Sequence, residues 1–119
     1  MTSKKGLESK LNKKQVDRIN DTQNYLMSLI DIENDMEIEK VERYGNLLKL
    51  FYALDLDINE IGTTVTIING SQEYTKPNPA LAEKNRVNGA LLSLEKSFNL
   101  DKRAEQKRLE EAAKGPELT

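Results

Sequence analysis

The sequence predicts a mainly α-helical chain: two long antiparallel helices joined by a short β-hairpin, an N-terminal helix before them, and a charged helical segment after them. Three observations carry that expectation. Charged residues make up 32% of the chain and aromatic residues 5%, a balance that suits helices with solvated faces better than a packed sheet sandwich. Large apolar residues recur at spacings near three, four and seven through residues 36–54 and again through 81–98, the period of an amphipathic helix. Between those stretches, Thr63-Thr-Val-Thr-Ile-Ile-Asn-Gly-Ser-Gln-Glu-Tyr-Thr75 supplies β-branched residues and then Asn69-Gly70. That pair accepts positive φ at both centres of a type I′ hairpin turn.

Taken in order, residues 1–12 show no sustained apolar period and are expected to form a mobile basic arm. Residues 13–100 follow as a helical oligomerisation domain with the hairpin at 63–75, and residues 101–119 as a charged C-terminal segment and tail. Val16, Ile19, Leu26, Leu29 and Ile30 mark the first helix, although Thr22 and Gln23 interrupt its stripe. Met36, Val41, Tyr44, Leu47, Leu48, Phe51 and Leu54 mark the second, which reaches Glu60 and stops at Gly62. Past the hairpin, Pro77 is expected to block further pairing, Asn78 to cap a helix, and Pro79 to sit where its missing N–H costs nothing. Leu81, Val87, Leu91, Leu94 and Phe98 mark that third helix. Asn99 can end it in the left-handed conformation, and Asp101 can cap a final stretch whose one large apolar residue is Leu109.

A lone hairpin is marginal in water, so this one reads as a flap or an assembly surface. The helix stripes are wide: Leu50 and Tyr52 lie off the main line of the second helix, and Leu92 off that of the third. One helix pair does not cover such faces. Self-association through Tyr44, Leu47, Leu48, Phe51, Val87, Leu91, Leu94 and Phe98 is the expectation.

Composition also excludes chemistry. With no cysteine and no histidine, the chain lacks thiol nucleophiles, disulfides, histidine general bases and Cys/His zinc sites. No apolar run approaches the roughly 20 residues of a membrane helix. Met-Thr-Ser-Lys-Lys-Gly is not followed by a hydrophobic region, so a cytoplasmic protein without a signal peptide or membrane partner is expected. Asp31, Glu33, Asp35, Glu37 and Glu39, with Glu42 behind, alternate like an EF-hand loop, but Met36 stands where the sharp turn needs glycine. A solvated helix start, its acids favoured by the helix dipole, accounts better for the run. Asp55, Asp57 and Glu60 cluster without any Gly-rich phosphate loop. No enzyme activity, cofactor or metal is expected.

Charge is unevenly spread. Residues 1–20 hold Lys4, Lys5, Lys10, Lys13, Lys14 and Arg18 against Glu8 and Asp17, a balance of +4, while residues 31–60 carry nine acids against three bases. A basic end on an acidic body offers one surface to a polyanion, or simply a solubilising tail. Phosphate contacts need only Lys and Arg on an arm or helix. Lys10, Lys13, Lys14 and Arg18 recur at spacings of three and four, along one side of a helix that starts early.

The order of these pieces resembles a known family. A helix, then Val41-Glu-Arg-Tyr44 opening a leucine- and aromatic-rich helix, Gly62, an Asn-Gly hairpin, Asn78-Pro-Ala-Leu81 and a leucine helix is similar to phage small terminase subunits. The likeness is to their short-chain family in phages and prophages, over about residues 14–109. Those proteins usually follow the third helix with Gly-Leu-Thr-Pro and a basic segment. Here Asn99-Leu-Asp-Lys102 stands at that place, without the proline. The resemblance implies a non-catalytic factor that forms a ring homo-oligomer, binds double-stranded viral DNA near the packaging start, and delivers it to the large terminase subunit, which holds the ATPase and nuclease. On that reading Lys4, Lys5, Lys10, Lys13, Lys14 and Arg18 bind DNA. Lys102, Arg103, Lys107 and Arg108 form a second basic set; they alternate with Glu105, Glu110 and Glu111, so they suit DNA or the large subunit equally. The alternative from another class is a helical oligomeric adaptor that binds only protein.

Overall fold

Helix-stopping residues set the element order. The computed structural model describes residues 10–114. Among the described residues lie α1 (Lys13–Leu29), α2 (Asp35–Ile61), β1 (Thr64–Asn69), β2 (Gln72–Pro77), α3 (Pro79–Phe98) and α4 (Leu100–Lys114), with the strands forming one antiparallel sheet.

α1 opens on a reciprocal cap. Asn12 Oδ1 accepts the Gln15 N–H at 2.8 Å, and Gln15 Oε1 accepts the Asn12 N–H at 3.1 Å. Just ahead of the cap, Leu11 is buried in a cluster with Ile19 and Ala53, and Val16 packs against the same cluster. Leu11 and Val16 flank the cap as a hydrophobic staple. The packed chain therefore begins before residue 13, inside the stretch expected to be a mobile arm. A single staple residue has no period to announce it.

The acidic run is a turn and a helix start. Asp31 Oδ1 accepts the Glu33 N–H at 3.0 Å, Asn34 caps α2 through the Met36 N–H at 3.0 Å, and Asp35 and Glu37 lie in the first turn. α2 ends at Gly62, whose φ of 102° suits glycine alone.

The hairpin differs from expectation at its tip. Asn69 pairs with Gln72, so the two central residues are Gly70 and Ser71, and Gly70 alone has positive φ, at 66°. Glycine at the first centre is the type II′ pattern, not the I′ turn expected at Asn69-Gly70. Pairing also runs on to Thr64↔Pro77. Counting from the tip, that is a non-hydrogen-bonded pair, so the missing proline N–H is not needed. The next backbone bond, Asn78 N–H to the Thr63 carbonyl at 2.8 Å, resumes the ladder.

Asn78 closes the base of the hairpin. It is the buried polar residue among the described positions, 5% exposed. Its Oδ1 accepts the Ala80 N–H at 3.0 Å while its Nδ2 donates to the Gly62 carbonyl at 2.8 Å. One side chain thus caps α3 and ties it to the end of α2.

α2 and α3 run antiparallel. Tyr44 meets Phe98 edge-on, with ring centroids 6.1 Å apart, and donates its hydroxyl to Glu95 at 2.5 Å. Toward the hairpin, Lys84 pairs with Asp55 at 2.5 Å and lies 5.2 Å from the centre of the Phe51 ring. α1 returns over α2 at Gly45, where an added Cβ would stand 2.2 Å from the Gln23 amide nitrogen. That nitrogen donates to the Val41 carbonyl at 3.2 Å. The polar break in the α1 stripe is therefore the crossing point of two helices.

Leu26, Ile30, Val41, Tyr44, Val87, Leu91 and Phe98 form the main core, with Leu47, Leu48, Phe51, Leu94 and Leu100 half-buried against it. Of the eight residues expected to mediate oligomerisation, Tyr44, Val87, Leu91 and Phe98 are buried in this intrachain core, and Leu47, Leu48, Phe51 and Leu94 pack against it half-buried. The expectation considered the helix pair alone; α1 and the root of α4 cover much of the apolar face it leaves. Apolar side chains that stay exposed are others, among them Ile32, Met36, Leu92, Leu109, and Ile68 and Tyr74 of the hairpin.

Asn78→Ser keeps a capping oxygen but loses the donor to Gly62, and should cost about 1 kcal/mol; Asn78→Ala loses both bonds and should cost about 2–3 kcal/mol. Urea denaturation followed by circular dichroism gives this order. At Tyr44, burial and then the Glu95 carboxylate push the hydroxyl well above the usual tyrosine range. The neutral phenol is thus preferred in the fold, and its contribution is intact below about pH 10 and lost as pH rises toward the raised value. Tyr44→Phe should lower stability by about 1–2 kcal/mol at neutral pH. It should also remove the late-ionising component from the ultraviolet titration, which a parent-minus-variant difference isolates.

Candidate nucleic-acid interface

The capping box fixes how α1 displays its cations. Because Asn12 is the cap, Lys14 and Arg18 fall one turn apart on an exposed face. They open, with Asn12 and Gln15, onto a shallow depression floored by Tyr52 of α2. Neither takes part in an ion pair among the described residues. Like charges at this spacing repel, and an anion placed between them relieves that repulsion.

The other expected DNA contacts stand differently. Lys13 pairs with Asp17 at 2.9 Å on the open surface, and that hydrogen bond raises the lysine above its ordinary pKa. Lys10 lines a separate depression beside Asp57 and Glu60 at the acidic end of α2. Lys4 and Lys5 lie outside the described residues. The structure therefore joins Lys14 and Arg18, balances Lys13, and places Lys10 in a separate depression that Asp57 and Glu60 also line.

The second basic set also divides. Arg103 is an internal tie rather than an outward-facing cation. Its Nη2 meets the Glu37 carboxylate at 2.9 Å, Nη1 donates to the Leu29 carbonyl at 3.2 Å, and Nε donates to the Phe98 carbonyl. Arg108 pairs with Glu105 at 2.5 Å, and Lys107 Nζ lies 3.5 Å from Ser28 Oγ. Lys102 and Lys107, with Glu110 and Glu111, line a groove of about 680 Å³ between the end of α1 and α4. Its mixed charge suits a protein segment at least as well as a phosphate backbone.

Asp55 is committed to Lys84, and among the described residues no group of three or more carboxylates is arranged to hold a metal ion. Among the same residues no helix is long and apolar enough to cross a membrane. Two site residues escaped the sequence. Tyr52 had a signal, since it lies off the α2 stripe on the side that α1 covers. Glu37 had none, because its partner is 66 residues away. No protein-family model, curated protein or solved structure matches this chain.

Proposed function

We propose that this chain is a small terminase subunit: a non-catalytic, self-associating factor that recognises double-stranded viral DNA at packaging initiation and hands it to the large terminase subunit. The observation that carries the reading is the Lys14–Arg18 pair, two cations one turn apart on a capped helix, neither in an ion pair among the described residues. The helix–hairpin–helix order supports it, as does the apolar surface left at Leu92, Ile68 and Tyr74 for neighbouring subunits. The phosphate backbone is the natural ligand of such a pair. Each subunit offers few contacts, so a ring would gain affinity by displaying many copies. A second reading, a protein-binding helical adaptor without DNA affinity, is favoured by the mixed-charge groove beside α4.

Binding of the full chain to duplex DNA, followed by fluorescence anisotropy over a salt series, separates the two. The parent should bind with affinity that falls steeply as salt rises. Changing Lys10, Lys13, Lys14 and Arg18 together to Ala should weaken binding and flatten the salt slope by roughly 0.9 for each phosphate no longer neutralised. Lys14→Ala with Arg18→Ala should give most of that change while leaving stability within about 0.5 kcal/mol. Native mass spectrometry of the same samples should show one closed oligomer of more than four subunits. A monomer, or binding indifferent to the four substitutions at every salt concentration, would contradict the proposal.

A further inference from the structure

One residue separates α3 from α4. Asn99 lies at φ 52°, ψ 54°, in the left-handed region, which asparagine tolerates better than most residues. α4 begins immediately after it, with the Arg103 N–H bonded to the Asn99 carbonyl at 2.9 Å. The cap expected at Asp101 is not used; Asn99 ends one helix and starts the next. Turning this residue to right-handed values would make Pro79 through Lys114 one unbroken helix.

What opposes that rotation is concentrated in few groups. No residue of α4 is buried, and Leu100 is its half-buried apolar contact with the core. Lys107 adds a 3.5 Å contact to Ser28 Oγ, and Arg103 supplies the rest. Its guanidinium fastens α4 to the Glu37 carboxylate at the start of α2, to the Leu29 carbonyl at the end of α1, and to the Phe98 carbonyl at the end of α3.

The alternative arrangement satisfies two of these three groups from within the chain and leaves the Leu29 carbonyl, at the end of α1, to water. In an unbroken helix the Phe98 carbonyl would accept the Lys102 N–H, four residues on. Glu37 would keep Lys40, whose Nζ already lies 3.9 Å from it. Releasing Arg103 therefore leaves neither a bare carbonyl at Phe98 nor an uncompensated carboxylate at Glu37.

We propose that the α3–α4 junction is a two-state elbow, with Asn99 as the hinge, Arg103–Glu37 as the latch, and α4 as an arm that swings from the end of α1 into line with α3. Opening uncovers Ser28, Leu29 and Ile30, which line the groove beside the arm. This inference is independent of the DNA reading, since it uses none of the α1 cations.

The chain has no native cysteine, so Asn88→Cys with Ala112→Cys admits two spin labels at exposed sites on α3 and α4. The labelled full-length chain, diluted into excess unlabelled chain, reports an intrachain distance by pulsed electron paramagnetic resonance. The parent should show a distance well short of the roughly 36 Å that 24 helical residues span. Arg103→Ala and Glu37→Gln should each move at least half of the population to the long distance. Asn99→Ala, which disfavours the left-handed hinge, should do the same, and Asn99→Gly should hold the short one. Circular dichroism checks that each variant stays helical; if Arg103→Ala does not fold, Glu37→Gln carries the result. The proposal is overturned if the parent already shows the long distance, or if the latch variants keep the parent distance. A broad distribution, marking an unravelled α4, overturns it equally.

Discussion

Burial of Phe98 closes the open end of the α2–α3 pair, and most of the remaining structure is arranged around it. The side chain is 0% exposed. Tyr44 meets its edge, Lys40 Nζ stands 5.8 Å from its ring centre, and its carbonyl takes Arg103 Nε. At the opposite end Asn78 ties α3 to Gly62. Two helices fixed at both ends form a frame, and burying a side chain the size of Phe98 contributes about 1.5–3 kcal/mol to it. α1 docks on that frame through the Gln23–Gly45 crossing, and this crossing sets the face on which Lys14 and Arg18 appear. The hairpin adds little to the core: none of its strand residues is buried.

The helices were legible because their apolar stripes have a period that survives local noise. Val41, Tyr44 and Leu91 recur as expected, and each is buried. Stops and caps were legible where one residue decides, as at Gly62, Asn78 and Asn99. What escaped has no period. Leu11 packs as a single staple residue, and Gln23 looks like a defect in its stripe until Gly45 is placed opposite it. The turn type escaped because Asn69-Gly70 and Gly70-Ser71 are both acceptable hairpin centres; the pairing of Asn69 with Gln72 decides between them. Reading the helix pair in isolation leaves its wide apolar faces to an interface; the fold-back of α1 and the packing of Leu100, neither visible in the sequence, cover part of them within the chain.

Charge was legible as a count but not as an arrangement. Spacing put Lys10, Lys13, Lys14 and Arg18 along one side of an early-starting helix; with the cap at Asn12, Lys14 and Arg18 fall one turn apart and Lys10 lies ahead of α1. Local spacing would also have found Asp17 beside Lys13, an i,i+4 pair. Arg103 could not be sorted from Lys102 or Arg108 by composition, because Glu37 and Leu29 come to it through tertiary packing. Of the ten cations assigned to binding, the fold thus uses one as a structural tie, balances two with neighbouring acids at i,i+3 or i,i+4, and leaves the Lys14–Arg18 pair together.

The functional account rests on that pair, so the most direct test maps where DNA touches the whole chain. Hydrogen exchange of the full-length protein, with and without saturating duplex DNA, reads every segment at once. The first turn of α1 is sensitive, because the opening N–H groups of a helix lack intrahelical acceptors and exchange readily. The account predicts that DNA slows exchange across residues 13–18 and leaves the hairpin strands unchanged. Protection confined to the hairpin or α4, or no protection anywhere under binding conditions, would contradict it.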